Sequence, residues 1–317
     1  MGSANIPRIV TLTPNSTVDR VVFVDHFTFG ETVRATGAAW GMGGKAAVTS
    51  FVLGQLGTPS LATGFVAGDT GRRMEAMLQE QGVQTDFLPV KGETRTTYVI
   101  AREADGSQCT ITHNTLETTA ADGEALAQHV RALLAAAPAV LFVGGSLPSG
   151  LAVDWYVPLL REARARGIFT GLDTSGRYLE ANIVAPPDLI KPNAAEASAL
   201  LGRSVESVTD AIAGVRELQA RGIAVPIITL GEKGAVAGTP EGIYFVPPLH
   251  VRVVNTAGAG DGFNAGLLQA RLRGESWAEA LRWAAAVATA VLLTPGTGVL
   301  RAEDARRLHP DARVERV

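Results

Sequence analysis

The chemistry in this chain concentrates where glycine-rich turns meet charged residues. The most informative segment is Asn255-Thr-Ala-Gly-Ala-Gly-Asp261-Gly-Phe-Asn-Ala-Gly266. It follows Val251–Val254, which reads as a strand, and it opens an apolar helix. The small residues Ala257, Gly258, Ala259 and Gly260 let successive backbone N–H groups converge at a helix N-terminus, where the dipole favours an anion. Such a turn suits the charge that develops on a transferring phosphoryl group. Asp261, just inside it, is placed to take a proton from an attacking hydroxyl. Taken alone, the same residues also describe a glycine turn whose aspartate merely caps a helix.

Three other segments carry polar groups at helix starts or strand ends. In Gly41-Met-Gly43-Gly44-Lys45-Ala-Ala-Val48 the glycines permit close backbone approach, and Lys45 offers a mobile ammonium at a helix N-terminus. In Leu189-Ile-Lys191-Pro-Asn193-Ala-Ala-Glu196 a strand ends and Asn193 opens a helix. Asn193 and Glu196 have the spacing of a capping box. Alternatively, Lys191 and Asn193 face nucleotide phosphates while Glu196 steers hydrated Mg²⁺, a hard cation that retains water. Gly144-Gly-Ser146-Leu-Pro-Ser-Gly150 and Ile228-Thr229-Leu-Gly231 follow strand-like runs, at the ends where open α/β sheets place ligands.

Competing motifs do not hold. No G-x-x-x-x-G-K-[ST] phosphate loop occurs, and the loose dinucleotide fingerprint at Gly260–Ala265 lies near the C-terminus, not at a first strand–helix turn. His26, His113, His129 and His250 lack metal-ligand spacing. A net charge of −3 with scattered Lys and Arg argues against nucleic acid as a partner. The longest apolar run, Trp283–Leu293, is too short to span a bilayer, so no membrane association is expected. The single Cys109 makes no intrachain disulfide, which fits a reducing, cytoplasmic setting.

The elements that must position these residues alternate. Strand-like Ile9–Leu12, Leu61–Val66, Ala139–Val143, Ile168–Asp173, Leu189–Ile190 and Pro226–Leu230 are separated by seven helix-like stretches: 46–56, 70–81, 122–134, 154–166, 210–220, 260–273 and 277–293. This predicts an α/β fold with a Rossmann-like, mostly parallel sheet covered by helices on both faces. Two regions break the alternation. Val21–Asp25 with Thr32–Ala39, and Arg95–Arg102 with Ser107–His113, read as strand pairs turning at Phe29-Gly30 and Asp105-Gly106. They suggest a small β lid over residues 14–40 and 94–114, with 1–13, 41–93 and 115–317 as the core. One continuous sheet with antiparallel edges fits the pattern nearly as well.

Together the segments resemble the ribokinase-like carbohydrate kinases, in their phosphofructokinase-B branch, from Thr11-Leu-Thr-Pro-Asn-Ser-Thr-Val-Asp19 to Gly296-Thr-Gly298. Asn255–Leu268 satisfies that branch's C-terminal signature. The resemblance implies ATP, Mg²⁺ and a lid often used for dimerisation, hence a homodimer. It implies Asp261 as catalytic base and the 257–260 amides as anion hole. Lys191, Asn193, Glu196 and Thr229 match nucleotide-phosphate and Mg²⁺ positions, with Gly231 beside them, and Asp19 matches the acid that grips sugar hydroxyls. Gly92-Glu-Thr-Arg95, Asp173-Thr-Ser-Gly176 and Gly145-Ser146-Leu-Pro look like the members that act on phosphosugars, fructose 1-phosphate before tagatose 6-phosphate. In those, positions matching Arg34, Lys45 and Arg95 surround the substrate phosphate. One departure stands out. The branch reads Gly-Gly-Lys-Gly-x-Asn, and here Ala46 and Val48 replace the glycine and asparagine, so one substrate hydrogen bond is missing. A phosphosugar-binding sensor without turnover is the alternative class.

Overall fold

The computed structural model describes residues 7–102 and 107–317. Its frame is an 11-stranded sheet. Ile9–Thr13 pairs in parallel with Leu61–Val66 on one side and Val140–Gly144 on the other. From Val140–Gly144 the parallel run continues through Phe169–Asp173, Leu189–Ile190 and Val225–Thr229. Successive side chains of a strand point to opposite faces, and here both faces are covered. Ile9, Phe142 and Ile227 pack into one cluster, with helices Lys45–Gln55, Gly68–Glu80, Ala259–Leu272 and Trp277–Val291. Val10, Leu141 and Ile228 pack into the other, with Ala120–Ala135, Val157–Ala165 and Val208–Ala220. Burial on both faces is why these strands read as continuous apolar runs instead of alternating ones.

Beyond Val225–Thr229 the sheet turns antiparallel through Ala235–Thr239 and Gly242–Val246. The antiparallel edge and the separate lid therefore coexist. Each main-sheet strand expected from the sequence is present within a residue or two. Val251–Val254 is the exception: it forms no strand, and Val253 and Val254 are exposed. A short valine run with no neighbouring strand edge has nothing to pair with.

The lid is a four-stranded sheet, ordered Gly37–Met42, Thr17–Val24, Arg95–Arg102, Gln108–Ile111. The outer pairs are antiparallel, as expected, and the two middle strands run parallel, Thr17 opposite Arg95 through Val24 opposite Arg102. Residues 25–36 are irregular and mostly exposed, so the strand expected from Thr32 starts only at Gly37 and runs on to Met42. The turn expected at Asp105-Gly106 lies outside the described residues. At the lid's base Lys91–Gly92 pairs with Leu116–Glu117, tying together the second entry of the chain into the lid and its last exit.

Because the chain leaves Ile9–Thr13 in one direction to build Leu61–Val66 and returns on the other side with Val140–Gly144, the strand order reverses at the first strand. A crevice opens at such a point, outside the carboxyl ends of the strands. Asn15, Ser146, Asp173 and Lys191 all follow or end those strands, and the lid stands over them.

Candidate active site

The helix Ala259–Leu272 starts from Gly258, whose φ of 87° is left-handed and open to glycine at little cost. Before it, the side chain of Asn255 accepts the Ala257 N–H at 2.9 Å and donates to the Pro295 carbonyl at 2.9 Å, fixing the turn. Asp261 lies in the first helical turn, and Asn264 lies one turn further on the same face. Asn264 donates to Asp173 at 2.8 Å. Asp173, buried at the end of its strand, also meets Lys45 Nζ at 2.6 Å and Lys191 Nζ at 3.1 Å. Lys191 in turn stands 3.0 Å from where a Cβ on Gly260 would lie, so its ammonium borders the amide turn.

The electrostatics follow from that placement. Asp261 is half-buried, and loss of water around its carboxyl pushes its pKa up to about 7. The negative Asp173 adds to the rise and the two lysines oppose it. Burial would push Asp173 up as well, but Lys191 and Lys45 outweigh it and hold that carboxylate well below its usual range. Two acids sharing one cationic neighbourhood are thus split into a permanently charged one and one poised near neutrality, the arrangement a general base needs.

Lys45 is placed differently from the expectation of a sugar-phosphate ligand. Its ammonium is taken by Asp173 and stands 3.6 Å from Glu196 Oε1, because a buried and a half-buried carboxylate lie on its side of the helix start. Burial lowers its pKa, but those carboxylates raise it further, so it stays protonated. Asn193 and Glu196 form the capping box: Asn193 Oδ1 accepts the Glu196 N–H and Glu196 Oε2 accepts the Asn193 N–H, each at 2.9 Å. Thr229 lies beside Asn193 in a parallel bridge, and Gly231 begins the next turn. Lys191, Asn193, Glu196 and Thr229 are therefore one group, with Lys45 joined to it.

A second group lies under the lid. Asp19 is buried on the Thr17–Val24 strand against Gly43, where an added Cβ would fall 2.3 Å from its Oδ1. Burial pushes the Asp19 pKa up to about 7, with Thr297 and Arg95 opposing. Asn15 donates to Ser146 Oγ at 3.0 Å and to Asn114 Oδ1 at 3.2 Å, and Arg95 reaches the same Asn114 oxygen at 3.2 Å. The Asn15 Oδ1 and Arg95 Nε atoms are buried without a hydrogen-bond partner among the described residues. Gly44 joins this floor to the Lys45 helix. Arg34 is not brought to it; it is exposed in the irregular stretch between lid strands.

Sequence reasoning passed over Asp173, Asn264, Asn15 and Asn114 as site residues. The first two carried a signal: an acid ending a buried strand, and an amide spaced one helical turn from Asp261.

Set against known proteins, residues 14–304 match the profile of the pfkB family carbohydrate kinases. This chain belongs to that family. It is 36% identical over 298 residues to a 1-phosphofructokinase of Haloferax volcanii, spanning 93% of this chain and 94% of that one. A tagatose-6-phosphate kinase of Staphylococcus epidermidis is 31% identical, with 86% and 88% covered. In fold the chain is similar to the crystal structure of phosphofructokinase-2 from Escherichia coli in complex with substrates and products, at TM-score 0.88 and 24% identity, with 96% and 99% covered. Kinases of this family use ATP and a divalent metal. Among the described residues no three His, Cys, Asp or Glu side chains gather to hold a metal alone, and no helix is long and apolar enough to cross a membrane.

Proposed function

We propose that this kinase moves the γ-phosphoryl group of ATP onto a free hydroxyl of a phosphorylated ketose, fructose 1-phosphate first, giving fructose 1,6-bisphosphate. The observation that carries the reading is Asp261, poised near neutrality at a helix N-terminus between two cation-bearing groups. Asp19 and the Asn15–Ser146–Asn114–Arg95 cluster orient the sugar, with Arg95 and its neighbours taking the phosphate already present. Asp261 accepts the proton as the sugar oxygen bonds to the γ-phosphorus and the bond to the β-phosphate oxygen breaks. Lys191 and the 257–260 amides hold the charge spread over the phosphoryl oxygens. The lid keeps water from the same phosphorus.

Mg²⁺ fits the donors present. It prefers a carboxylate or two, waters and substrate phosphates to an all-protein cage, and Glu196, its Oε1 outside the cap, would supply the carboxylate through water. When bound it neutralises phosphate charge. The 36% relative's name supports fructose 1-phosphate and the 31% relative's supports tagatose 6-phosphate as alternative. Fructose 6-phosphate and an unphosphorylated sugar stand behind them. Val48, in place of an asparagine, is what favours a sensor without turnover. The single exposed Cys109 supports work in the cytoplasm.

The test is ADP release with Mg²⁺ across a panel of free and phosphorylated ketoses. Turnover highest with fructose 1-phosphate is expected. Binding without ADP release would replace the kinase with the sensor, and preference for a free sugar would remove the phosphate subsite.

A homodimer through the outer lid face belongs to the same reading. Across the register Trp40, Arg20, Tyr98 and Ile111 share one face, with Trp40, Tyr98 and Ile111 40%, 46% and 49% exposed, while Val21 and Val99 are buried on the other. An apolar sheet face of this kind calls for cover. Ile100→Asp, on the Tyr98 side, is expected to give monomers in sedimentation, whereas Val99→Asp destabilises the lid itself. A monomeric unmodified chain at micromolar concentration would sink the dimer.

A further inference from the structure

One lid residue reaches the catalytic turn without touching any group assigned above to substrate. Gln108, on the edge strand Gln108–Ile111, donates from Nε2 to Asn255 Oδ1 at 2.7 Å and accepts at Oε1 from the Thr256 hydroxyl at 3.0 Å. Both ends of one amide are thus engaged on adjacent residues at the entrance to the anion hole. The Asn255 oxygen that it meets is the one that accepts the Ala257 N–H, and Asn255 is buried. Its amide nitrogen is committed to Pro295. That oxygen therefore aims the backbone of the turn, and Gln108 is the lid's hold upon it.

We propose that Gln108 is a positioning residue that couples lid closure to the shape of the anion hole. With the lid down, the paired bonds fix Asn255 and Thr256 and, through them, the amides from Ala257 to Gly260. With the lid raised, the Asn255 oxygen loses one of its two donors and the turn gains freedom. The coupling makes phosphoryl transfer efficient only when the lid excludes water. It rests on the kinase reading above, although its structural half can be tested without any substrate.

Two measurements decide it. In the unliganded full chain, hydrogen–deuterium exchange across residues 255–262 is expected to quicken in Gln108→Ala, with peptides from the Trp277–Val291 helix unchanged. Unaltered exchange at 255–262 overturns the coupling, whatever substrate the enzyme uses. In turnover with the best ketose phosphate, Gln108→Ala is expected to lower kcat about 10-fold with sugar KM little changed, two hydrogen bonds of ordinary strength being lost. Gln108→Glu, unable to donate to Asn255, is expected to fall at least as far. Thr256→Ser keeps the hydroxyl and should retain activity, whereas Thr256→Val should fall, and its loss should not add fully to that of Gln108→Ala. Equal losses in kcat and in sugar affinity would reduce Gln108 to a structural lid residue. An unmodified chain inactive with every sugar would count against the kinase reading alone, leaving the exchange result to judge the latch.

Discussion

The two halves of the crevice are built on opposite plans. On the side proposed for the nucleotide the charged groups are already answered, Asp173 by two lysines and an asparagine and Glu196 by its cap and Lys45. Only Oδ1 of that asparagine, Asn264, is buried there with no partner among the described residues. On the side proposed for the sugar, Asn15 Oδ1 and Arg95 Nε are buried and unanswered among the described residues, and Asp19 sits in surroundings that resist its charge. Buried polar atoms without partners are costly. The difference shows where rigidity and where selectivity reside. In the reading proposed above, the phosphoryl donor meets a largely preformed frame, whereas the groups proposed to choose a sugar are left to be satisfied by that sugar.

The largest way to break this contrast is at its centre. Asp261→Asn is expected to cut kcat by about 10²–10⁴-fold, the range for loss of a general base. Because its pKa is raised, the folded chain binds a proton more tightly than the unfolded one, and the stability this gives is lost as pH rises through about 7. The variant should therefore melt higher than the parent at pH 8, by roughly 1–2 kcal/mol, and match it near pH 4. In the parent, kcat/KM should rise with pH through about 7, and a flat profile from pH 5 to 8 would take the base role from Asp261.

Asp173→Asn attacks the saturated side. Leaving Lys191 buried without its carboxylate is expected to destabilise the fold by about 3–5 kcal/mol, read by denaturant unfolding. Removing a negative neighbour also frees both lysines to act on Asp261, so the acid limb of the rate profile should move to lower pH. A loss of stability with an unmoved limb would show that the two acids do not communicate.

These two residues also mark what the sequence made legible. Asp261 was visible because its turn is local: glycines, a helix start and an acid adjoin one another along the chain. Asp173 was visible only as the end of a strand, since its partners come from three distant segments and local spacing holds no record of them. The parallel sheet was legible from buried apolar runs, and the lid from strand pairs without helices. The parallel pairing of the two middle lid strands was not, because it joins segments whose turns constrain only their outer neighbours. The contacts of Lys45 were hidden for the same reason: nothing near it in sequence announces Asp173 and Glu196, the carboxylates it meets.

On the sugar side effects should be smaller and selective. Arg95→Ala is expected to raise KM for a ketose phosphate about 10–100-fold while leaving KM for ATP near its parent value. Parallel increases in both would dissolve the distinction between the two halves. The smallest effect belongs to Val48. Its missing hydrogen bond invites restoration as asparagine, but the side chain is buried in the core cluster against Gly298, where an added Cβ would fall 2.5 Å from its Cγ1. Val48→Asn is therefore expected to cost about 1–3 kcal/mol of stability with no gain in turnover. A rise in kcat/KM for fructose 1-phosphate would show instead that this position still looks into the sugar site.

The parallel pair at the heart of the lid has a consequence for how the molecule assembles. Thr17–Val24 finds Arg95–Arg102 only across Gly37–Met42, the helices Lys45–Gln55 and Gly68–Glu80, and the strand Leu61–Val66 between those helices. Long-range pairing of this kind forms late, after the loops between its partners have closed. The core's first strand is bound by the same rule, since Ile9–Thr13 must find Leu61–Val66 and, further along the chain than any lid partner, Val140–Gly144. During synthesis, then, the lid strands from Thr17 to Ile111 are made well before the helix Ala259–Leu272 and the turn that opens it, and the cover is available before the turn exists.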